Sequence, residues 1–222
     1  MCGHFAINYM KLKSLIDRYG LEIMPPEDIS DIFNDSNFYP SRGATHTKVP
    51  VVFETPTGRK LDLFRWDIVP SWWKKPLKEK KFSTFNARSE SISEKASFKN
   101  AWNKNHRCII PATSFFEWPD KKLISQNEKR IEHRISLSDQ EFFSIAGIWD
   151  QCTLPGSESL YSCTLITVDA NEKMREIPHT RMPAILTPEN ENVWLDQSTP
   201  ANAALELVQQ YPADKMIVEK HY

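Results

Sequence analysis

Apolar residues at Leu12, Leu15, Ile16 and Tyr19 recur at the three- and four-residue spacing of a helix, and Gly20 supplies its stop. Pro25-Pro26-Glu27-Asp28 then opens a second short helix running to Phe33. Residues 34–43 are rich in turn formers and read as a loop. Residues 49–53 and 61–66 read as strands joined by a turn at Pro56-Thr57-Gly58. Val69-Pro70-Ser71-Trp72-Trp73 fits no regular element, 74–81 is a basic loop, and 82–88 leads into a helix over 93–102. Short β-like segments follow at 107–111 and 114–118, then a polar hairpin loop at 120–128 and a half-exposed alternating strand at 130–137. The strongly apolar runs 142–149 and 160–168 predict central strands. The rest of the pattern predicts helices at 170–177, 188–195 and 201–210, strands at 184–186 and 215–218, and a loop fixed by Pro178 and Pro183. The sum is an α+β protein: a single domain over 1–222 on a mostly antiparallel, barrel-like β-sheet with peripheral helices.

The length of 222 residues suits one such domain with an ample core. No run of 18 apolar residues exists, so no membrane span is expected, and the start lacks the charged and apolar regions of a secretory signal. Cys2, Cys108, Cys152 and Cys163 show no metal-type spacing; Cys108 and Cys163 sit in apolar runs as small core residues. A reduced, cytoplasmic monomer with no metal and no cofactor is the expectation. The net charge of −1 argues against a surface that binds nucleic acid all over. Locally the balance differs. Between Trp72 and Arg107 there are ten Lys or Arg against three Glu, interleaved with aromatics. That pattern suits either a solvated face or a polyanion partner.

Candidate chemistry starts at Met1-Cys2-Gly3. A small second residue permits removal of Met1, leaving Cys2 with a free α-amine beside its thiol. The amine, with a reference pKa of about 7.7–8.0, is partly neutral near pH 7. It can capture an aldehyde as an imine, after which the thiol closes a thiazolidine; alternatively the thiol attacks an acyl carbon. Glu117, flanked by aromatics in Ser114-Phe115-Phe116-Glu117-Trp118, is either a proton-transfer group or an outward-facing strand residue. His179, between Pro178 and Pro183, is a general acid/base or a structural histidine. Asn86 can orient a carbonyl or cap a turn. Arg88 and Arg181 each lie two residues beyond one of these groups and could hold phosphates. Trp72 and Trp73 either stack on nucleobases or join the core; two adjacent residues of one strand cannot both face inward.

Met1-Cys2-Gly3, Val69-Pro70-Ser71-Trp72-Trp73, Asn86-Ala87-Arg88-Ser89-Glu90, Phe116-Glu117-Trp118 and His179-Thr180-Arg181-Met182-Pro183 occur in the order and rough spacing of one family. Over nearly its whole length the chain resembles the SOS-response-associated peptidases, the abasic-site processing proteins. The resemblance implies that Cys2 forms a thiazolidine crosslink with the aldehyde of an abasic site in single-stranded DNA during the damage response. It implies autoproteolytic loss of Met1 and association with the nucleoid when DNA is bound. It places Cys2, Asn86, Glu117 and His179 in the active site, and Trp72, Trp73, Arg88 and Arg181 on the DNA. Three departures stand out: His4 where members carry Arg, no Asn-x-x-Pro in 38–43, and Trp66-Asp67 where members carry Trp-Gly. Three other readings compete. One is an N-terminal-nucleophile amidotransferase, for which the chain has no room for a synthase domain. A second is a non-catalytic single-stranded DNA-binding module, in which Cys2 is incidental. The third is a cysteine peptidase acting on other proteins.

Overall fold

The hairpin forecast around Pro56-Thr57-Gly58 is the seed of the architecture. In the computed structural model, which describes residues 2–22, 27–41, 47–127, 129–156 and 159–222, Lys48 pairs with Arg65 and the register runs unbroken to Thr55 and Gly58. In chain order the elements are β1 (Phe5–Asn8), α1 (Leu12–Tyr19), β2 (Asp35–Phe38), β3 (Lys48–Thr55), β4 (Gly58–Trp66) and β5 (Asn86–Arg88). Then come α2 (Lys99–Asn103), β6 (Arg107–Ala112), β7 (Ser114–Glu117), β8 (Glu132–Leu137), β9 (Phe143–Thr153) and β10 (Ser159–Asp169). The chain ends with α3 (Glu172–Glu176), β11 (Arg181–Pro183), β12 (Ile185–Leu186), α4 (Pro188–Leu195), α5 (Ala201–Glu206) and β13 (Met216–His221). Short 3-10 turns occupy Glu27–Phe33, Leu77–Glu79 and Ser89–Ser91.

The expected α+β, barrel-like architecture is present. Strands β10, β4, β3, β6 and β9 pair in that order, and β9 pairs back onto β10, closing a barrel. Only the β4–β10 junction, Ser162 with Arg65 and Cys163 with Trp66, is parallel within it. Closure works because β9 is long: its first half pairs with β6 and its second half with β10. A second, antiparallel sheet runs β13-β8-β7-β1-β2. The two sheets share one core, in which Phe5 and Phe115 of the second sheet join Phe64, Trp66, Ile109 and Ile145 of the barrel, all buried. Each fully buried side chain of this kind contributes about 1.5–3 kcal/mol relative to exposure. Cys108 and Cys163 are buried as expected, and so is Cys152.

Four sequence expectations change. Residues 35–38 form β2 rather than loop: Phe5 pairs with Phe38 and the rings stack at 4.9 Å, so a tertiary partner overrides turn propensity. The helix expected over 93–102 shrinks to α2, since 93–96 are exposed and offer no apolar face; only Ala101 and Trp102 are buried on the helix. Part of the 178–183 loop is β11, with Asp169 opposite Arg181 and Thr167 opposite Pro183 on β10. The helix expected to Gln210 ends at Glu206. Neither β1 nor β5 was marked by an alternating pattern, and both are too short to show one. Residues 25–26 and 42–43, parts of an expected helix and loop, lie outside the described residues. No described helix is long and apolar enough to cross a membrane.

Candidate active site

Cys2 lies three residues before the start of β1, and pairing of β1 with both β2 and β7 draws the chain start into the interior. Its thiol is fully buried and donates weakly to the His4 carbonyl at 3.7 Å. Burial pushes the thiol pKa up, and the negative charge of nearby Glu117 pushes it further; the His4 backbone contact opposes this only in part. The resting thiol is therefore protonated at neutral pH. Asn86 reaches the same place from β5, which lies parallel to β10 with Asn86 opposite Leu165. Its Nδ2 donates to the Cys2 carbonyl at 2.7 Å, while its Oδ1 is buried without a hydrogen-bond partner among the described residues.

Glu117 ends β7, and strict alternation fails there because all four residues of the strand are buried. The outward-facing option is thus excluded: Glu117 is 4% exposed. Its Oε2 lies 3.2 Å from His179 Nε2, and its Oε1, also buried, has no hydrogen-bond partner among the described residues. His179 Nδ1 sits 3.0 Å from the Trp118 carbonyl, which can only accept, so Nδ1 carries hydrogen. The close Nε2–Oε2 approach then requires a proton between imidazole and carboxylate. A buried pair that holds one shared proton beside a thiol is suited to general acid/base work.

The structure treats the four proposed DNA contacts differently. Arg88 is exposed. Trp72 is 48% exposed, with its Nε1 donating to the Ala96 carbonyl at 3.0 Å, whereas Trp73 is 9% exposed and packs edge-on to Phe82. One tryptophan faces solvent and its neighbour faces the interior, as the adjacency requires. Arg181 is buried, and its guanidinium bonds Glu90 (3.0 and 2.9 Å), Asp169 (2.6 Å) and the Thr167 carbonyl (2.7 Å). Arg181 thus braces the Asn86–Glu90 segment against β10 rather than facing solvent. Two more cations of the basic stretch are internal. Arg107 serves the carbonyls of Trp194, Asp196 and Thr199, and Lys80 bonds Asp67 Oδ2 at 2.7 Å.

Sequence reasoning missed the surroundings of His4. The imidazole is buried, stacked between Tyr39 and Phe116, and contacts Glu132 Oε1 at 3.1 Å and Asn37 Oδ1 at 2.8 Å. Its partners lie 33 and 128 residues away, so no local pattern could have shown them. Asn37 also corrects one supposed departure: Asn37-Phe38-Tyr39-Pro40 is an Asn-x-x-Pro sequence, one residue before the stretch in which it was sought. Asp67 was missed as well. It holds φ +142°, a conformation natural to glycine, while its carboxylate binds Lys80, the Thr84 amide and hydroxyl, and Arg65.

The SOS response associated peptidase (SRAP) sequence model matches residues 1–220. The chain belongs to the SRAP family. Among similar SRAP relatives, the abasic site processing protein YoqW of Bacillus subtilis (strain 168) is 34% identical over 220 residues, 97% of this chain and 90% of its own. The abasic site processing protein HMCES of Gallus gallus is 36% identical over 169 residues, covering 68% of this chain but only 49% of that longer protein. A crystal structure of a protein from Bacteroides thetaiotaomicron superposes with a TM-score of 0.83 at 27% identity, over 99% of this chain and 91% of that one.

Proposed function

We propose that this SRAP protein captures the aldehyde of an abasic site in single-stranded DNA and holds it as a thiazolidine on Cys2. The observation that carries the reading is convergence: Asn86 on the Cys2 carbonyl, and the proton-sharing Glu117–His179 pair close enough for its carboxylate to oppose ionisation of the Cys2 thiol. The names of its relatives supply the substrate class. With Met1 removed, the neutral α-amine attacks the ring-opened sugar aldehyde, and the carbinolamine loses water to give an imine. The thiol then adds to the imine carbon, its proton ending on the ring nitrogen. Because the thiol is protonated at rest, the amine step comes first and ring closure needs a proton carrier, a role for Glu117 and His179. The same pair would assist removal of Met1, in which the Cys2 thiol attacks the Met1 carbonyl carbon, the amide nitrogen leaves as the protonated α-amine, and water hydrolyses the resulting thioester to free methionine and the thiol. Arg88 and Trp72 meet the strand from solvent.

The test is the intact mass of protein incubated with an abasic single-stranded oligonucleotide. The expected product is one chain lacking Met1 plus one oligonucleotide, minus one water. A Met1-bearing protein that forms the adduct, or no adduct at all, would overturn the mechanism.

A further inference from the structure

Above the Glu117–His179 pair opens a cleft whose walls the chemistry at Cys2 does not use. Its volume is about 360 Å³, within the range of small-ligand sites. Glu117 and His179 are among its lining residues, and among the described residues the buried Glu117 Oε1 has no hydrogen-bond partner. The wall is the turn after β7, contributing Trp118, Asp120, Lys121 and Lys122, with Arg130 on the returning side. A second depression of about 290 Å³, lined by Ile124, Ser125 and Gln126, shares Lys121 and Arg130 with the first. The hollow therefore runs on along the turn, a shape for an extended ligand rather than an enclosed metabolite.

The turn is anchored to the site. The Asp120 amide donates to the Pro178 carbonyl at 2.8 Å, immediately before His179. The Lys122 amide donates to Asp120 Oδ1 at 3.0 Å, and Arg130 Nε to the Pro119 carbonyl at 2.9 Å. The Arg130 guanidinium carbon lies 5.6 Å from the centre of the Trp118 ring, which is half exposed. Among the described residues neither Lys121 nor Lys122 has an ion-pair partner, and both are exposed. Three cations and one carboxylate thus frame an aromatic face beside a buried acid/base pair. Trp72, Trp73, Asn86 and Arg88 do not line this cleft.

We propose that this cleft takes the nucleotide adjacent to the abasic sugar in the same DNA strand, with its phosphodiester on Lys121, Lys122 and Arg130 and its base on the open face of Trp118. The inference rests on the reading of Cys2 given above and extends it. The strand is gripped on both sides of the lesion by different elements: the Trp72 and Arg88 segments on one, the turn after β7 on the other. Cations at the rim suit a phosphate, and an unstacked base next to a lesion suits an aromatic platform.

The test uses the full chain with Lys121→Ala/Lys122→Ala, and separately Trp118→Leu, which keeps the carbonyl that His179 uses. Lys11→Ala/Lys13→Ala on α1 is the charge-matched control. Three single-stranded probes carry the abasic site with nucleotides on both sides, only on the 5′ side, or only on the 3′ side. Affinity is read by fluorescence anisotropy and the bond by heat-stable adduct. The lysine variant is expected to bind the two-sided probe about tenfold more weakly, with a log–log salt slope lower by up to about 0.7, the value for the one phosphate contact on a single strand. Trp118→Leu should lose roughly fivefold or more. Both losses should vanish on one of the two one-sided probes and persist on the other, with adduct at saturating DNA unchanged. Losses equal to the control, equal losses on both one-sided probes, or displacement of the probe by micromolar free deoxynucleoside monophosphate would overturn the proposal. If the parent forms no adduct with any probe, the reading of Cys2 fails, and anisotropy with the same probes still decides the cleft.

Discussion

At Cys2 the surroundings oppose the form of the thiol that would react fastest alone. Burial and the Glu117 carboxylate both raise its pKa, so the thiolate is scarce where the amine is already partly neutral. This predicts opposite effects from one substitution. Glu117→Gln removes the negative charge, so the Cys2 pKa falls and its alkylation by iodoacetamide, followed by peptide mass, should speed up. The same variant lacks the proposed proton carrier, so crosslinking should slow by about a hundredfold. If both rates stay at the parental level, Glu117 does not act on Cys2. A second variant separates amine from thiol. Cys2→Ser keeps the amine, so borohydride should trap its imine with abasic DNA, but little heat-stable adduct should form without reductant. Parental levels of stable adduct from the serine protein would show that the sulfur does not make the bond durable. These candidate residues were legible in the sequence because each stands in a locally odd setting: a cysteine at position two, a glutamate among aromatics, a histidine between prolines. Their supports were not. Nothing near Asn37, Glu132 or Lys80 in the chain announces the partner that each meets across the fold.

Among the elements, the segment joining β4 to β5 shows how the exposed tryptophan is placed. Asp67 follows β4 with φ +142°, a strained conformation for any residue but glycine, costing about 1–3 kcal/mol. The structure recovers that cost through Lys80, whose ammonium is buried and bonds Asp67 Oδ2 at 2.7 Å and the Phe82 carbonyl at 2.8 Å. Lys80 thereby fastens the loop that follows Trp72 and Trp73. Asp67→Gly relieves the backbone but leaves Lys80 and Arg65 without their carboxylate, and breaking a buried pair typically costs about 3–5 kcal/mol. The second effect is larger, so Asp67→Gly should lower stability by roughly 1–3 kcal/mol in urea titration. It should also weaken single-stranded DNA binding. Adding Lys80→Met, which removes the orphaned charge, should recover part of the loss in stability. An Asp67→Gly protein as stable as the parent would mean that the ion pair contributes nothing net. The hairpin of β3 and β4 and the long strands β9 and β10 were readable from hydrophobic pattern alone. Strands β1, β2, β5 and β11, each three or four residues long, were not. Strands β5 and β11 exist because the long β10 is there to pair with, and β1 and β2 because they pair with each other and β1 with β7; that information lies elsewhere in the chain.

Taken whole, the molecule ties its chemistry to the closure of its barrel at one residue. Gly147 of β9 is paired on one side with Cys108 of β6 and on the other with Leu165 of β10. Leu165 in turn stands opposite Asn86 of β5, whose amide holds the Cys2 carbonyl. A Cβ added at Gly147 would lie 2.6 Å from Ile110 Cδ1 and 2.8 Å from the Thr164 carbonyl oxygen. The first contact is with the end of a side chain and can yield; the second is with backbone in the paired strand and cannot yield without moving β10. Overpacking of this kind costs about 1–3 kcal/mol. Gly147→Ala should therefore lower the urea midpoint by a corresponding amount. In protein that remains folded, it should also slow crosslinking to abasic DNA, because Asn86 rides on the strand that is pushed. Ile110→Val, which deletes Cδ1, should restore part of the stability when combined with Gly147→Ala, but little of the crosslinking rate, since the Thr164 contact remains. Parental stability in Gly147→Ala would show that the strands separate freely there. A stability loss with an unchanged crosslinking rate would show that β5 keeps its place independently of the barrel seam, and that the active site is anchored from the β1–β7 side alone.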